Sequence, residues 1–116
     1  MNVLICEDDI DIQDLLEIII LDMGLNLFQC RDKDSLYKEI NSQEINLIIL
    51  DYWLKKKKAD EILSELKKEH PEIPVILMSA IADLPEISKK LKADDYIKKP
   101  FNIEELKDKI KKHLKI

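Results

Sequence analysis

Asn46 to Trp53, NLIILDYW, runs four aliphatic residues, Leu47 to Leu50, straight into Asp51 with no turn residue between them. An apolar run without alternation suits a strand covered on both faces, and such strands belong to parallel sheets wrapped by helices. Asp51 then stands at the carboxyl end of its strand, the edge of an open α/β sheet where ligands bind. Two other segments repeat the design. Val3 to Cys6 breaks into Glu7, Asp8 and Asp9, and Val75 to Met78, entered by Pro74, ends on Ser79 and Ala80. Tyr96 and Ile97 form a briefer strand leading to Lys98, Lys99, Pro100 and Phe101, and Leu25, Leu27, Phe28 and Cys30 make a weaker one.

Between the strands the apolar spacing changes to the helical period. Ile12, Leu15, Leu16, Ile19, Ile20 and Met23 follow it and stop at Gly24, the only glycine, read as a C-cap with positive φ. Asp32 or Asp34 caps a short helix bearing Leu36, Tyr37 and Ile40. Ile62, Leu63 and Leu66 carry a third helix that stops before His70 and Pro71, and Pro85, Ile87 and Leu91 a short, proline-started fourth. Asn102 caps a last helix with Ile103, Leu106, Ile110 and Leu114 on one face; Glu104 and Glu105 in its first turn suit the helix dipole. Lys55 to Lys58 reads as a loop. Strand and helix alternate five times through short connections. This predicts one α/β domain over residues 1–116: a doubly wound, flavodoxin-like (βα)5 fold whose five-stranded parallel sheet has the order 2-1-3-4-5.

A chain of 116 residues can bury a core without disulfides or a structural metal, and 46% hydrophobic with 37% charged residues is a globular balance. The net charge of −5, from 24 acidic and 19 basic residues, argues against direct nucleic-acid binding. Lys55 to Lys58 and the helix lysines Lys107, Lys109, Lys111, Lys112 and Lys115 read as solvated surface. Apolar runs such as Ile18 to Leu21 fall far short of the roughly 20 residues of a membrane span, and no charged-then-apolar leader opens the chain, so a cytoplasmic protein without membrane contact is expected. Cys6 and Cys30 have neither metal-ligand spacing nor a CxxC pattern and are expected to be buried, inert thiols.

The predicted strand order brings Glu7, Asp8, Asp51, Ser79 and Lys99 to one edge of the sheet. Each has a plain explanation alone: helix N-terminal acids, a loop hydroxyl, a solvated lysine. Coincidence at four strand ends is a weaker account than one site. Clustered carboxylates raise one another's pKa unless a cation sits among them, and a hard divalent ion such as Mg²⁺ takes oxygen ligands.

In order, VLICEDD, LIILD, VILMSA and DDYIKKPF resemble the receiver domains of two-component response regulators, and the resemblance covers the whole chain. It implies that Asp51 accepts a phosphoryl group from a sensor histidine kinase or histidine phosphotransfer protein. Mg²⁺ would be held by Asp8, Asp51 and the main-chain carbonyl of Trp53, with Glu7 acting through water, while Lys99 and Ser79 meet phosphoryl oxygens. Ser79 and Tyr96 would form the switch that alters the face made by helix 4, strand 5 and helix 5. The implied activity is that of a signalling switch rather than a metabolic enzyme, one that supports its own phosphorylation and slow autodephosphorylation. Asp94, Asp95, Lys109 and Lys112 resemble the charged face through which receivers attached to winged-helix DNA-binding domains pair two-fold; a phosphorylation-dependent homodimer is therefore expected, with an exposed charged helix as the competing reading.

Two features depart from the family pattern. The loop after the acceptor commonly carries leucine, proline and then glycine, whereas here Leu54 is followed by Lys55 to Lys58, Ala59 and Asp60. Trp53 and Ile81 stand two residues beyond Asp51 and Ser79, where in the family they flank the path of water to the aspartyl phosphate; their size predicts a long-lived phosphate. A phosphohydrolase using Asp51 would lack its usual acid two residues on, where Trp53 stands. A flavin or nucleotide module would lack a phosphate-binding loop after the first strand, and Glu7 and Asp8 would repel a phosphate there. The remaining alternative is a degenerate receiver, a phosphorylation-independent binding module.

Overall fold

Parallel strands cannot be joined by tight turns, so each crossover between them carries a helix. In the computed structural model, which describes residues 1–116, β1 (Asn2–Cys6), α1 (Ile10–Asp22), β2 (Asn26–Cys30), α2 (Lys33–Ser42), β3 (Leu47–Asp51), α3 (Asp60–Glu69), β4 (Val75–Ser79), α4 (Leu84–Lys90), β5 (Asp95–Lys98) and α5 (Ile103–Leu114) follow one another. The strands make one parallel sheet in the order β2-β1-β3-β4-β5, as predicted.

Every residue of β3 and β4 is buried, which is why their sequences do not alternate. Successive side chains still point to opposite faces. Leu4, Ile48, Leu50 and Leu77 pack with Leu36 of α2, Leu63 and Leu66 of α3 and Leu84 of α4. Val3, Ile5, Ile49 and Ile76 pack with Leu16 and Ile20 of α1 and Leu106 and Ile110 of α5. The register pairs Cys6 with Leu50, Asp51 with Met78 and Ser79 with Lys98, so the strands end nearly level along the central part of the sheet.

Caps fix the helix starts. Asp32 accepts the Ser35 N–H at 2.9 Å in a reciprocal capping box, and Asn102 accepts the Glu105 N–H at 3.0 Å. Gly24 follows the α1 C-cap with φ +76°. Cys6 and Cys30 are buried register partners on β1 and β2, and the contact with Cys6 together with burial pushes the Cys30 thiol far above its usual range.

Three local expectations are corrected. Lys55 to Lys58 is not an open loop: Trp53–Leu54 pairs antiparallel with Lys57–Lys58, and Lys55 and Lys56 close the hairpin at φ 48° and 63°. That conformation normally selects Asn or Gly. Here the Lys55 N–H donates to Asp8 Oδ2 at 3.0 Å and its ammonium meets Asp32 at 3.1 Å, contacts that hold the turn. Ile103 is exposed, because the stripe of α5 that meets the sheet starts at Leu106. On α1, Leu15 lies at the surface while Gln13 is buried. No helix is long and apolar enough to cross a membrane.

Leu50 is fully buried between the layers, so Leu50→Ala should cost about 2–5 kcal/mol in urea unfolding. Gly24→Ala should cost only about 1 kcal/mol, from its left-handed φ alone, because beyond its two chain neighbours nothing lies within 4 Å of where a Cβ would stand.

Candidate functional site

Glu7 follows the last residue of β1 and is 1% exposed. Its Oε2 accepts the N–H groups of Asp8 and Asp9 at 3.0 and 3.2 Å, and its Oε1 accepts the Lys99 ammonium at 2.6 Å. Asp9 also caps α1, accepting the Ile12 N–H at 3.1 Å, so the turn that presents the acids is the helix start itself. The buried Gln13 amide donates to the Glu7 carbonyl and fixes this turn from below. Sequence reasoning missed Gln13, although its spacing from Leu16 and Ile20 places it on the buried stripe.

Asp51 ends β3 and is buried. Its Oδ1 accepts the Trp53 N–H at 3.3 Å, and its Oδ2 lies 3.4 Å from the Lys99 ammonium. Asp8 is exposed at the rim, its Oδ2 accepting the Lys55 N–H. Oxygens of Glu7, Asp8 and Asp51 lie within 4.8 Å of one another. Lys99 reaches them because its N–H pairs with the Ser79 carbonyl at 2.9 Å, extending the β4–β5 ladder to the site; the Lys99–Pro100 peptide that follows is cis. The sheet edge thus gathers Glu7, Asp8, Asp51 and Lys99. Ser79 is buried at the end of β4, with its Oγ accepting the Ile81 N–H at 3.3 Å.

The other expected residues lie around this centre. Trp53 is 41% exposed, set edge-on to the Tyr52 ring with the Lys58 ammonium 5.8 Å from its own ring centroid. Ile81 and Tyr96 are half-buried. The four residues of the charged face divide into two places. Asp94 takes the Lys67 ammonium at 2.6 Å and the Val75 N–H at 2.8 Å, whereas Asp95 takes Lys109 at 2.7 Å and His113 at 2.9 Å, with Lys112 on the same shallow surface.

Beside the acids, Ile12, Leu15, Ala80, Pro100 and Phe101 line an apolar groove reaching Lys99. Ile10 and Ile18 on α1 are 62% and 66% exposed. Together with Leu15 and Leu21 they leave apolar surface on α1 that the sheet does not cover.

The family of response regulator receiver domains matches residues 3–111. The nitrogen assimilation regulatory protein NtrX of Azorhizobium caulinodans is 38% identical over 109 residues, covering 90% of this chain and 24% of that protein. Response regulator RR06 of Streptococcus pneumoniae is 30% identical over 113 residues, covering 96% of this chain and 52% of its own length. The chain therefore spans about a quarter of the first relative and about half of the second. Among solved structures, the receiver domain of NtrX from Brucella abortus superposes with a TM-score of 0.90 at 32% identity, over 97% of this chain and 98% of that one.

The charge balance is one lysine against three acids. Burial and the adjacent Glu7 push the Asp51 carboxyl up to about 7, against the opposing pull of Lys99 and the Trp53 N–H. Hard oxygen donors, excess negative charge and one solvent-facing acid fit a divalent cation, which would draw that carboxyl back down. Without a cation, folded Asp51 keeps its proton up to about pH 7 while the unfolded chain loses it near 3.8. The folded state therefore binds more protons between those values, and stability falls as pH rises through them. In cation-free buffer, urea unfolding should show this decline for the wild type and a shallower one for Asp51→Asn; parallel profiles would exclude the raised carboxyl.

Proposed function

The chain belongs to the response regulator receiver family, a family of signalling domains, and from that premise we propose that residues 1–116 form one receiver unit switched by phosphorylation of Asp51. The observation that carries this reading is the convergence of Glu7, Asp8 and Asp51 on a single lysine, Lys99. The donor is a phosphohistidine on a sensor kinase or phosphotransfer protein, and the exposed apolar strip of α1 beside the site supports docking of such a partner.

In the reaction a carboxylate oxygen of Asp51 forms the bond to phosphorus as the bond from phosphorus to the donor nitrogen breaks. Mg²⁺ would be held by Asp8, Asp51 and the Trp53 carbonyl and, when bound, supplies neutralisation of phosphoryl oxygens. Glu7 acts through water: both its oxygens already take donors from the chain, Lys99 on one side and the Asp8 and Asp9 N–H groups on the other. Lys99, already at Asp51, offsets the charge that gathers on the transferring group. Ser79 then leaves the Ile81 N–H and donates its hydroxyl to a phosphoryl oxygen, and Tyr96 moves toward the space Ser79 vacates, altering the α4–β5–α5 face. A two-fold dimer through that face would have to exchange the pairs that Asp94 and Asp95 make within the chain. The product is a signalling state, with autodephosphorylation its slow return.

Incubation with acetyl phosphate and Mg²⁺ should add about 80 Da to the intact mass, the weight of one phosphoryl group, and Asp51→Ala should abolish the gain. Mg²⁺ binding without any gain would instead identify a phosphorylation-independent binding module. Replacing Trp53 and Ile81 together by small polar residues should speed decay of the phosphoprotein at least several-fold; an unchanged decay rate would remove them as a barrier to water.

A further inference from the structure

The switch tyrosine sits beside a polar cluster with no part in phosphoryl transfer. Asp95, the residue before Tyr96, is largely buried and accepts four groups from three elements. Its Oδ1 takes the Lys109 ammonium at 2.7 Å and the Tyr96 N–H at 2.8 Å, its Oδ2 lies 2.9 Å from His113 Nε2, and its carbonyl takes the Ser88 hydroxyl of α4 at 3.5 Å. Lys109 and His113 stand four residues apart on α5, one above the other on the face turned to β5. The same Lys109 ammonium lies 5.2 Å from the Tyr96 ring centroid. One cation is thus shared between a carboxylate and an aromatic face, both on β5.

This geometry has a direct consequence for the ring. An ammonium held over an aromatic face attracts it, the more so when little water intervenes. Burial works against the charge on Asp95, yet Lys109, His113 and the Tyr96 N–H together hold its carboxyl below the ordinary range. Asp95 therefore stays charged and keeps Lys109 in place. Ser79, turned to the Ile81 N–H, has not drawn toward Asp51. Movement of the Tyr96 ring away from α5 separates it from a cation that Asp95 does not release.

We propose that Lys109, anchored by Asp95 and braced by His113, is a positioning residue that pins the Tyr96 ring in its phosphate-free place, so that phosphorylation must pull against this clamp. The proposal rests on the reading that phosphate on Asp51 is coupled through Ser79 to Tyr96. It names a restraint on α5 that sets how readily the switch is thrown. Coupling between equilibria is reciprocal, so whatever loosens Tyr96 also favours the conformation that the phosphate stabilises.

Lys109→Gln keeps the stem and removes the charge. Phosphorylation by acetyl phosphate with Mg²⁺ should become at least several-fold faster by intact mass, because a larger fraction of the protein occupies the conformation that takes phosphate. In ¹³C-tyrosine NMR, with Tyr96 assigned by Tyr96→Phe, the ring signal of unphosphorylated Lys109→Gln should shift toward the position it takes in phosphorylated wild type. Lys109→Arg should restore both wild-type values, and His113→Gln should give a smaller change in the same direction. A mere loss of packing would not speed the reaction. If wild type takes phosphate and its Tyr96 signal moves, but Lys109→Gln leaves rate and resting signal unchanged or slows the reaction, the clamp is overturned and the switch stands. If wild type takes no phosphate, or takes it with Tyr96 unmoved, the underlying reading fails and the clamp with it.

Discussion

Two buried carboxylates, Glu7 and Asp51, share one ammonium at the end of a hydrophobic sheet, and much of the structure serves to make that arrangement stable. An isolated charge in such a place is strongly disfavoured unless it is paired and hydrogen-bonded. The chain answers with Lys99 and with main-chain N–H groups from Asp8, Asp9 and Trp53, each placed where a strand gives way to the next element. The main-chain donors lie one or two residues from their acceptors, but Lys99 does not. Lys99 is delivered to Glu7 across 92 residues by the register of β4 with β5, and any slip of that register would leave the acids uncompensated.

The hairpin after β3 shows how local strain is held by the same centre. Two lysines with positive φ form a poor turn in isolation, yet Asp8 and Asp32 grip Lys55 at its backbone and its side chain. The loop that lacked the family's proline and glycine therefore has a defined shape. Through the Trp53–Lys58 pair it fixes the backbone next to Asp51 and brings the Lys58 ammonium over the indole. Hairpin geometry and pocket charge are linked: the rim acid available to a cation also secures the turn.

On the other flank, residues that look alike in sequence have different surroundings. Asp94 and Asp95 are neighbours on either side of the start of β5, yet one meets Lys67 on α3 and the other Lys109 and His113 on α5. Only Asp95 holds Lys109, the lysine that lies over the Tyr96 ring. On the α4–β5–α5 surface the Asp95 carboxylate thus already has its counterparts, Lys109 and His113, within the chain.

The sequence by itself determined the class of fold, the strand order and that Glu7, Asp8, Asp51 and Lys99 meet at one edge of the sheet. Unalternating strands, helical spacing and polar residues at strand ends are local signals, and right-handed crossovers leave few ways to connect them. Tertiary structure alone decided which donor meets which acceptor. The spacing of Gln13 puts it on the buried stripe, but its partner, the Glu7 carbonyl, is set only by the fold, and spacing misplaces Leu15 and Ile103 because it gives a helix face but not where the sheet ends beneath it. The lysine hairpin defeated turn propensity because Asp8, 47 residues away from Lys55, supplies the bond that holds it. Pairwise contacts between distant side chains fall within about 3 Å, and only the folded chain sets positions that finely.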